Sequence, residues 1–188
     1  TYLMYSFIGV FLCFIVIILY RFFNTKIYTV DEVESASEIS VIGAVLTFPQ
    51  KLQNADSRML AIKEQHSVFG ESIRSVRTNI QFLLPDKKNK IITITSTISG
   101  EGKTFSTINL AGSLTMLGKK VIVIGCDLRK PRLESTFINP NNSGLSSYLS
   151  GVHSIDEIIV DSDYENLALI FSGPIPPNPA ELLHSERM

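Results

Sequence analysis

Five consecutive residues, Gly100-Glu101-Gly102-Lys103-Thr104, combine the groups that bind a phosphate chain. Glycines allow positive φ and bring main-chain amides close to an anion with no Cβ in the way. A helix starting just after them adds N–H groups that lack intrahelical partners, together with the positive end of the helix dipole. In a loop of the form GxxxxGK[ST], the Lys position holds the β and γ phosphates and the hydroxyl position ligates Mg2+, roles that fall to Lys103 and Thr104. Counting back five from Gly102 gives Thr97, so the first glycine of that pattern is absent. Ser99, Glu101 and Phe105 complete the stretch expected to line a nucleotide, with ATP and Mg2+ as its ligands. A dinucleotide loop GxGxxG would need its third glycine where Phe105 stands, which excludes NAD.

The chemistry requires a strand before the loop and a helix after it. KIITITS (90–96) is β-branched and bounded by turn residues, which predicts a buried strand. FSTINLAGSLTML predicts a helix that Gly118 stops. VIVIGCD (121–127) predicts a second buried strand, parallel to the first across a helix of the length a right-handed crossover requires. Asp127 ends that strand, on the side where ligands sit in open α/β sheets. It is a candidate magnesium ligand with Thr104, and a candidate catalytic residue with Lys103; the alternative is an Asp that only turns the chain. Arg129 is a candidate phosphate contact, whereas Lys130 and Arg132 read as solvated loop cations. A glycine-rich turn that binds nothing is the alternative for the loop itself, and the expected strand-loop-helix context favours the nucleotide.

Around this centre, SVFGESIRSVRTNIQFLL places Ile73, Val76, Ile80 and Leu83 on one stripe of an amphipathic helix that Pro85 and Asp86 end. GLSSYLSG and SIDEIIV predict short helices and LALIFSG a third strand. NPAELL predicts a helix start, with Asn178 as cap, Pro179 at the first position and Glu181 at capping-box spacing, and the helix is expected to run on to Met188. Residues 24–65 read as a juxtamembrane linker with one short strand in EISVIGAVL, interrupted by Pro49.

A formal net charge of -1 and a pI near 6.3 exclude the basic footprint of a nucleic-acid binder. Cys13 and Cys126 belong to no CxxC or Cys/His pattern, which points to a reducing compartment. Residues 1–23 carry no charge before Arg21, and about 20 apolar residues cross a bilayer as a helix. Tyr2, Tyr5 and Tyr20 flank this transmembrane helix, and Arg21 with Lys26 places the remainder of the chain in the cytoplasm. A secretory signal would begin with a basic region and end at a small-residue cleavage site, neither of which is present. Opening at Thr1 without an initiator methionine, the sequence is expected to be the end of something longer.

With these pieces assembled, the sequence resembles the bacterial tyrosine kinases (BY-kinases) of capsular and exopolysaccharide export, in the form fused to a Wzz-type chain-length-determinant membrane module. SxxxGEGKT at 96–104 looks like the family's Walker A loop and VIVIGCDLRKPRL at 121–133 like its Walker A′ motif, with Asp127 as the aspartate. ESIRSVRTNIQFL at 71–83 is similar to its ExxRxxR oligomerisation helix, and SGPIPPNPAELL at 172–183 to its characteristic loop. The resemblance implies an α/β parallel-sheet P-loop NTPase-like domain at 66–188, and phosphoryl transfer from ATP to tyrosines of a neighbouring subunit. It also implies a homo-oligomeric ring contacted through Glu71, Arg74 and Arg77, polysaccharide export machinery as partner, and a place at the bacterial inner membrane. Family members carry a second magnesium aspartate and a tyrosine cluster further along, so the domain at 66–188 is expected to be incomplete; Tyr148 and Tyr164 are read as structural. A MinD/ParA-like ATPase would require a Lys at 98 and a Gly at 99, where this chain has Ile98 and Ser99. That ATPase without kinase activity, and a non-catalytic chain-length regulator, are the alternatives.

Overall fold

The computed structural model describes residues 2–24, 26–27, 29–48, 59–84, 89–139 and 142–188, in two compact units, Thr1–Val41 and Ile42–Met188. The expectations at Pro49 and at Pro85 and Asp86 lie outside the described residues.

In the first unit, Tyr2–Phe23 form one helix, α1, with no side chain buried within the protein. Its 22 residues extend about 33 Å, which matches a hydrocarbon core of about 30 Å. It is the candidate membrane span. The acidic stretch read as linker contains a helix, α2 (Val30–Ala36). The Thr29 side chain accepts the Glu32 N–H at 3.3 Å, and Asp31 and Glu32 sit in the first turn, where negative charge is favourable.

The second unit begins with an extended segment that passes over α4 (Val68–Leu83). EISVIGAVL is therefore not a strand: its Leu46 N–H goes to Ser72 Oγ at 3.3 Å, and the Ile42 carbonyl accepts from Asn79 Nδ2 at 2.7 Å. Helix side chains take the place of a sheet neighbour. Met59, Leu60 and Ala61, assigned to the linker by sequence, are buried, and Leu60–Lys63 form a short helix, α3.

Helix α4 starts at Ser67, whose hydroxyl accepts the Gly70 N–H at 3.0 Å. Phe69, Ile73, Val76 and Ile80 face inward as the spacing requires, but Leu83 is exposed. Leu84, four residues after Ile80, takes the inward position instead and packs beside Leu110. Helix α5 (Lys103–Thr115) packs against α3 and α4, and ends where Gly118 takes a φ of 69° and returns its N–H to the Thr115 carbonyl at 2.8 Å.

The sheet has three strands in the order β1-β3-β2: β1 (Val121–Ile124), β2 (Ile159–Asp161) and β3 (Leu167–Ile170). Strand β1 runs parallel to β3 with Val121 opposite Leu167 and Ile124 opposite Ile170, and β2 runs antiparallel to β3. Central β3 is apolar on both faces. Leu167 and Leu169 join Val123, Ile108, Ala111 and Met59, while Ile170 joins Leu128, Leu145, Leu149 and Ile158.

Two expectations for the sheet fail. KIITITS is extended but forms no ladder among the described residues, and Ile91 is 95% exposed. β-branched composition suits a strand, but hydrogen bonds to a neighbour make one, and the parallel partner of β1 is β3. β1 is also only half buried: Val123 faces the core, while Ile122 and Ile124 lie on the open face.

The remaining elements adhere to the sequence more closely. Helix α6 is Leu145–Leu149, and SIDEIIV divides into α7 (Ile155–Ile158) followed directly by β2. Helix α8 covers Pro179–Leu183 and does not continue to Met188, since the His184 N–H closes it on the carbonyls of Ala180 and Glu181. Asn178 does not cap it through its side chain; its amide donates to the Glu181 carboxylate at 2.8 Å. Tyr148 and Tyr164 pack against the two sheet clusters, as their structural reading requires.

Candidate phosphate-binding site

Helix α5 joins β1 through the short turn at residues 116–120 and packs on it through Ile108 and Ala111. The two elements therefore run in opposite directions, and the start of α5 lies toward the C-terminal end of β1. That brings the loop at 97–102 and Asp127 to the same end of the sheet, the end where open α/β folds bind ligands.

Gly100 and Gly102 adopt φ values of 97° and 91°, and a Cβ built on either would meet nothing within 4 Å. Their glycine character is thus set by backbone conformation and by open space on the loop's surface, not by neighbours. Gly102 is the N-cap of α5 and offers no side chain to it; the first intrahelical bond is Ser106 N–H to the Gly102 carbonyl at 2.8 Å. The N–H groups of Lys103, Thr104 and Phe105 precede that bond and receive no side-chain cap, so they remain donors for an anion.

Lys103 Nζ donates to Ser96 Oγ at 2.9 Å, and that hydroxyl donates to the Ile98 carbonyl at 2.9 Å. The sequence reading assigns Ser96 no contact with the lysine; nothing in the spacing reveals that the loop folds back over seven residues. Glu101 is exposed, and its carboxylate accepts the Ile98 N–H at 3.4 Å. Ser99 is exposed and Thr104 half-buried. Phe105 turns its ring away, onto Phe69 at 5.3 Å between centroids, so only its backbone faces the loop.

Asp127 is exposed, and its Oδ1 accepts the Lys130 N–H at 3.0 Å. The turn role considered for this residue is therefore realised, and the second oxygen remains for a ligand. Among the described residues no three His, Cys, Asp or Glu side chains gather as a metal cage. Mg2+ bound by phosphates, waters and one or two protein oxygens needs no such cage, so Thr104 and Asp127 fit that donor set. Arg129, Lys130 and Arg132 are all exposed, and Arg132 is the residue from which the chain turns into the short 3-10 segment at Leu133–Ser135.

The charged arc of α4 divides. Glu71 and Arg74 form a 2.8 Å ion pair on the surface, and Arg74 Nη2 also reaches the Gln65 carbonyl at 3.1 Å. Arg77 turns inward, its Nη1 donating to the Ser113 carbonyl at 2.8 Å and to Ser113 Oγ at 3.1 Å. Ser113 lies in the last turn of α5, where a cation complements the free carbonyls. Burial, and secondarily the charge of Arg74, lowers the Arg77 guanidinium below its ordinary value. Sequence reasoning also misses Asn109, which is fully buried and bridges the Ala61 N–H at 2.9 Å to the Phe105 carbonyl at 2.8 Å.

These features define an α/β domain with a phosphate-binding loop at the start of its central helix, a P-loop fold that implies nucleotide binding, generally with a divalent metal. Residues 89–175 match the family described as an AAA domain. Over 140 residues the chain is 42% identical to the tyrosine-protein kinase YwqD of Bacillus subtilis, an alignment covering 72% of this chain and 59% of that protein. The kinase domain of the Escherichia coli tyrosine kinase ETK superposes with a TM-score of 0.77 at 29% identity, covering 85% of this chain and 65% of that one. The BceF tyrosine kinase domain gives 0.73 at 34% identity, covering 86% and 68%. The chain belongs to the bacterial tyrosine kinase family. It spans about three fifths of YwqD (59%) and 19% of a putative tyrosine-protein kinase from the cps region of Klebsiella pneumoniae.

Proposed function

We propose that this chain is part of an ATP-dependent protein-tyrosine autokinase that regulates capsular or exopolysaccharide synthesis and export. The observation that carries the reading is the uncapped start of α5 beneath a loop with two left-handed glycines, in a chain 34% identical to a solved tyrosine kinase domain. In phosphoryl transfer the protein contributes mainly positioning and charge neutralisation. The amides of residues 100–105 would hold the phosphates of ATP, and Lys103 would leave Ser96 for the β and γ oxygens. Thr104 and Asp127 would hold Mg2+, which when bound neutralises charge developing between those oxygens. Arg129 would contact phosphate from the β1 side. The acceptor would be a tyrosine of a neighbouring copy in a ring, with Glu71 and Arg74 presented to that neighbour and Arg77 bracing the helix that carries them. The link to a cps region is supported by the name of the putative Klebsiella pneumoniae kinase, and polysaccharide export machinery would be the partner. Helix α1 would hold the chain in the bacterial inner membrane with the second unit in the cytoplasm.

Incubation of the full chain with γ-labelled ATP, Mg2+ and a Glu–Tyr copolymer tests the proposal. Label on tyrosine, lost in Lys103→Met, supports a kinase. Release of free phosphate with no labelled protein would assign the chain to a P-loop ATPase without kinase activity.

A further inference from the structure

The loop that carries Asp127 and Arg129 begins and ends on a single residue. Ser172, 1% exposed, donates its hydroxyl to the Gly125 carbonyl at 2.8 Å, just before the loop, and its N–H to Glu134 Oε1 at 2.9 Å, just after it. Within the loop Leu128 and Leu133 are buried while Asp127, Arg129 and Lys130 point to solvent. Apolar side chains thus fix the loop's depth, and the two hydrogen bonds fix its ends. Ser172 itself is held firmly. Its carbonyl accepts the Ser146 N–H at 3.0 Å, and the preceding Phe171 carbonyl accepts the Leu145 N–H at 2.8 Å. There is no room for that pairing to slide, since a Cβ on Gly144 would come within 2.3 Å of the Phe171 carbonyl oxygen. The other oxygen of Glu134, Oε2, is buried and accepts no hydrogen bond among the described residues. The side chain therefore has one engagement, and it crosses 38 positions of sequence to make it.

We infer that Glu134 is a positioning residue for the metal-side loop: by tethering the loop's far end to Ser172 it sets where the Asp127 carboxylate stands relative to the start of α5. This rests on the reading of the loop and Asp127 as a nucleotide site. Without the tether, the loop would keep its anchor at Gly125, its buried leucines and its internal bonds from Lys130 N–H to Asp127 and from Leu128 N–H to Cys126, but its far end would be free to shift, and Asp127 with it, relative to α5. Groups that bond a metal ligand directly change metal affinity by about tenfold or more; Glu134 acts one step further out, through the end of the loop, so a change of up to about tenfold is expected.

The test is a titration of the full chain in detergent micelles with mant-ATP, in Mg2+ and separately in excess EDTA. Wild type is expected to bind more tightly in Mg2+. Glu134→Ala is expected to lose up to about tenfold in the Mg2+ titration and to match wild type in EDTA. Glu134→Gln keeps an oxygen acceptor of the same reach and is expected to restore Mg2+-dependent binding, which a loss of bulk stability would not predict. Glu134→Asp, shorter by one methylene, is expected to behave as the alanine variant, and it carries the test should the alanine variant misfold. Equal Mg2+ enhancement in wild type, Ala and Asp variants would overturn the tether while leaving the nucleotide site standing. A wild-type chain that binds no mant-ATP in either buffer would instead refute the site, and the tether with it.

Discussion

Asn109 is where the stability of the phosphate helix can be tested most directly. It is fully buried on α5, and its Oδ1 is the acceptor for the Ala61 N–H, a donor in the first turn of α3 that no helical carbonyl can reach. In Asn109→Ala that N–H stays buried without a partner, at a cost of about 1–3 kcal/mol. The lost amide leaves a void of about 30 Å3, which at about 24 cal/mol per Å3 adds about 0.7 kcal/mol. The Phe105 carbonyl loses a second donor but keeps its place in the helix, so little is added there. The total is about 3 kcal/mol, and for a unit of this size each kcal/mol moves the melting midpoint by about 2–4 °C, giving a fall of about 9 °C. Asn109→Leu fills the void and leaves the N–H unpaired, so it isolates the polar part at about 2 kcal/mol, or about 6 °C. Thermal unfolding followed by circular dichroism in detergent reads both. If both variants melt within about 2 °C of wild type, the bridge contributes nothing and the reasoning is wrong; if only the alanine variant falls, packing rather than hydrogen bonding is at work.

Lys103→Met removes one half-buried hydrogen bond to Ser96 and would remove a charge-assisted bond to phosphate, so calorimetry should find nucleotide affinity reduced by about 2–3 kcal/mol, with the melting midpoint changed by no more than the loss of that one bond. Arg77→Ala should destabilise the second unit by about 1–2 kcal/mol in urea titrations, because the last carbonyls of α5 lose their cation. Arg74→Ala, whose ion pair is exposed, should cost at most about 1 kcal/mol; a reduced assembly mass in light scattering with unchanged stability would tie it to a neighbouring copy. Glu157 closes a capping box on Ser154, and the hydrogen bonds from the Ser154 backbone and hydroxyl lower its carboxyl from the ordinary value. A lowered folded value means the contribution is present above the unfolded pKa, about 4.3, and is lost as pH falls through the folded one. The stability difference between wild type and Glu157→Ala should therefore be fully present at neutral pH and shrink in strong acid.

What could be read from the sequence was whatever the chain encodes within a turn or two. Ser67 before a stripe at spacings of three and four gives α4, Gly118 ends α5, and LALI is apolar enough to be the central strand. Even Leu83, misplaced, is an error of one position, corrected by Leu84. The failures share a different cause. Residues 90–96 and EISVIGAVL have the composition of strands, but a strand is a relation between two segments; one of them finds no ladder among the described residues and the other meets a helix instead. Asn109 bridges to a residue 48 positions away, and Glu134 to one 38 positions away, distances at which no periodicity carries information. The same division runs through the candidate site. The loop at 97–104 stands out in the sequence as a candidate because the spacing of its glycines, lysine and threonine is a local pattern. Ser96 and Asn109, which contact Lys103 and the Phe105 carbonyl, and Ser172 and Glu134, which bracket the loop of Asp127, are ordinary polar side chains whose roles exist only once the chain has folded, and substitutions at them separate a candidate site that is merely present from one that is correctly positioned.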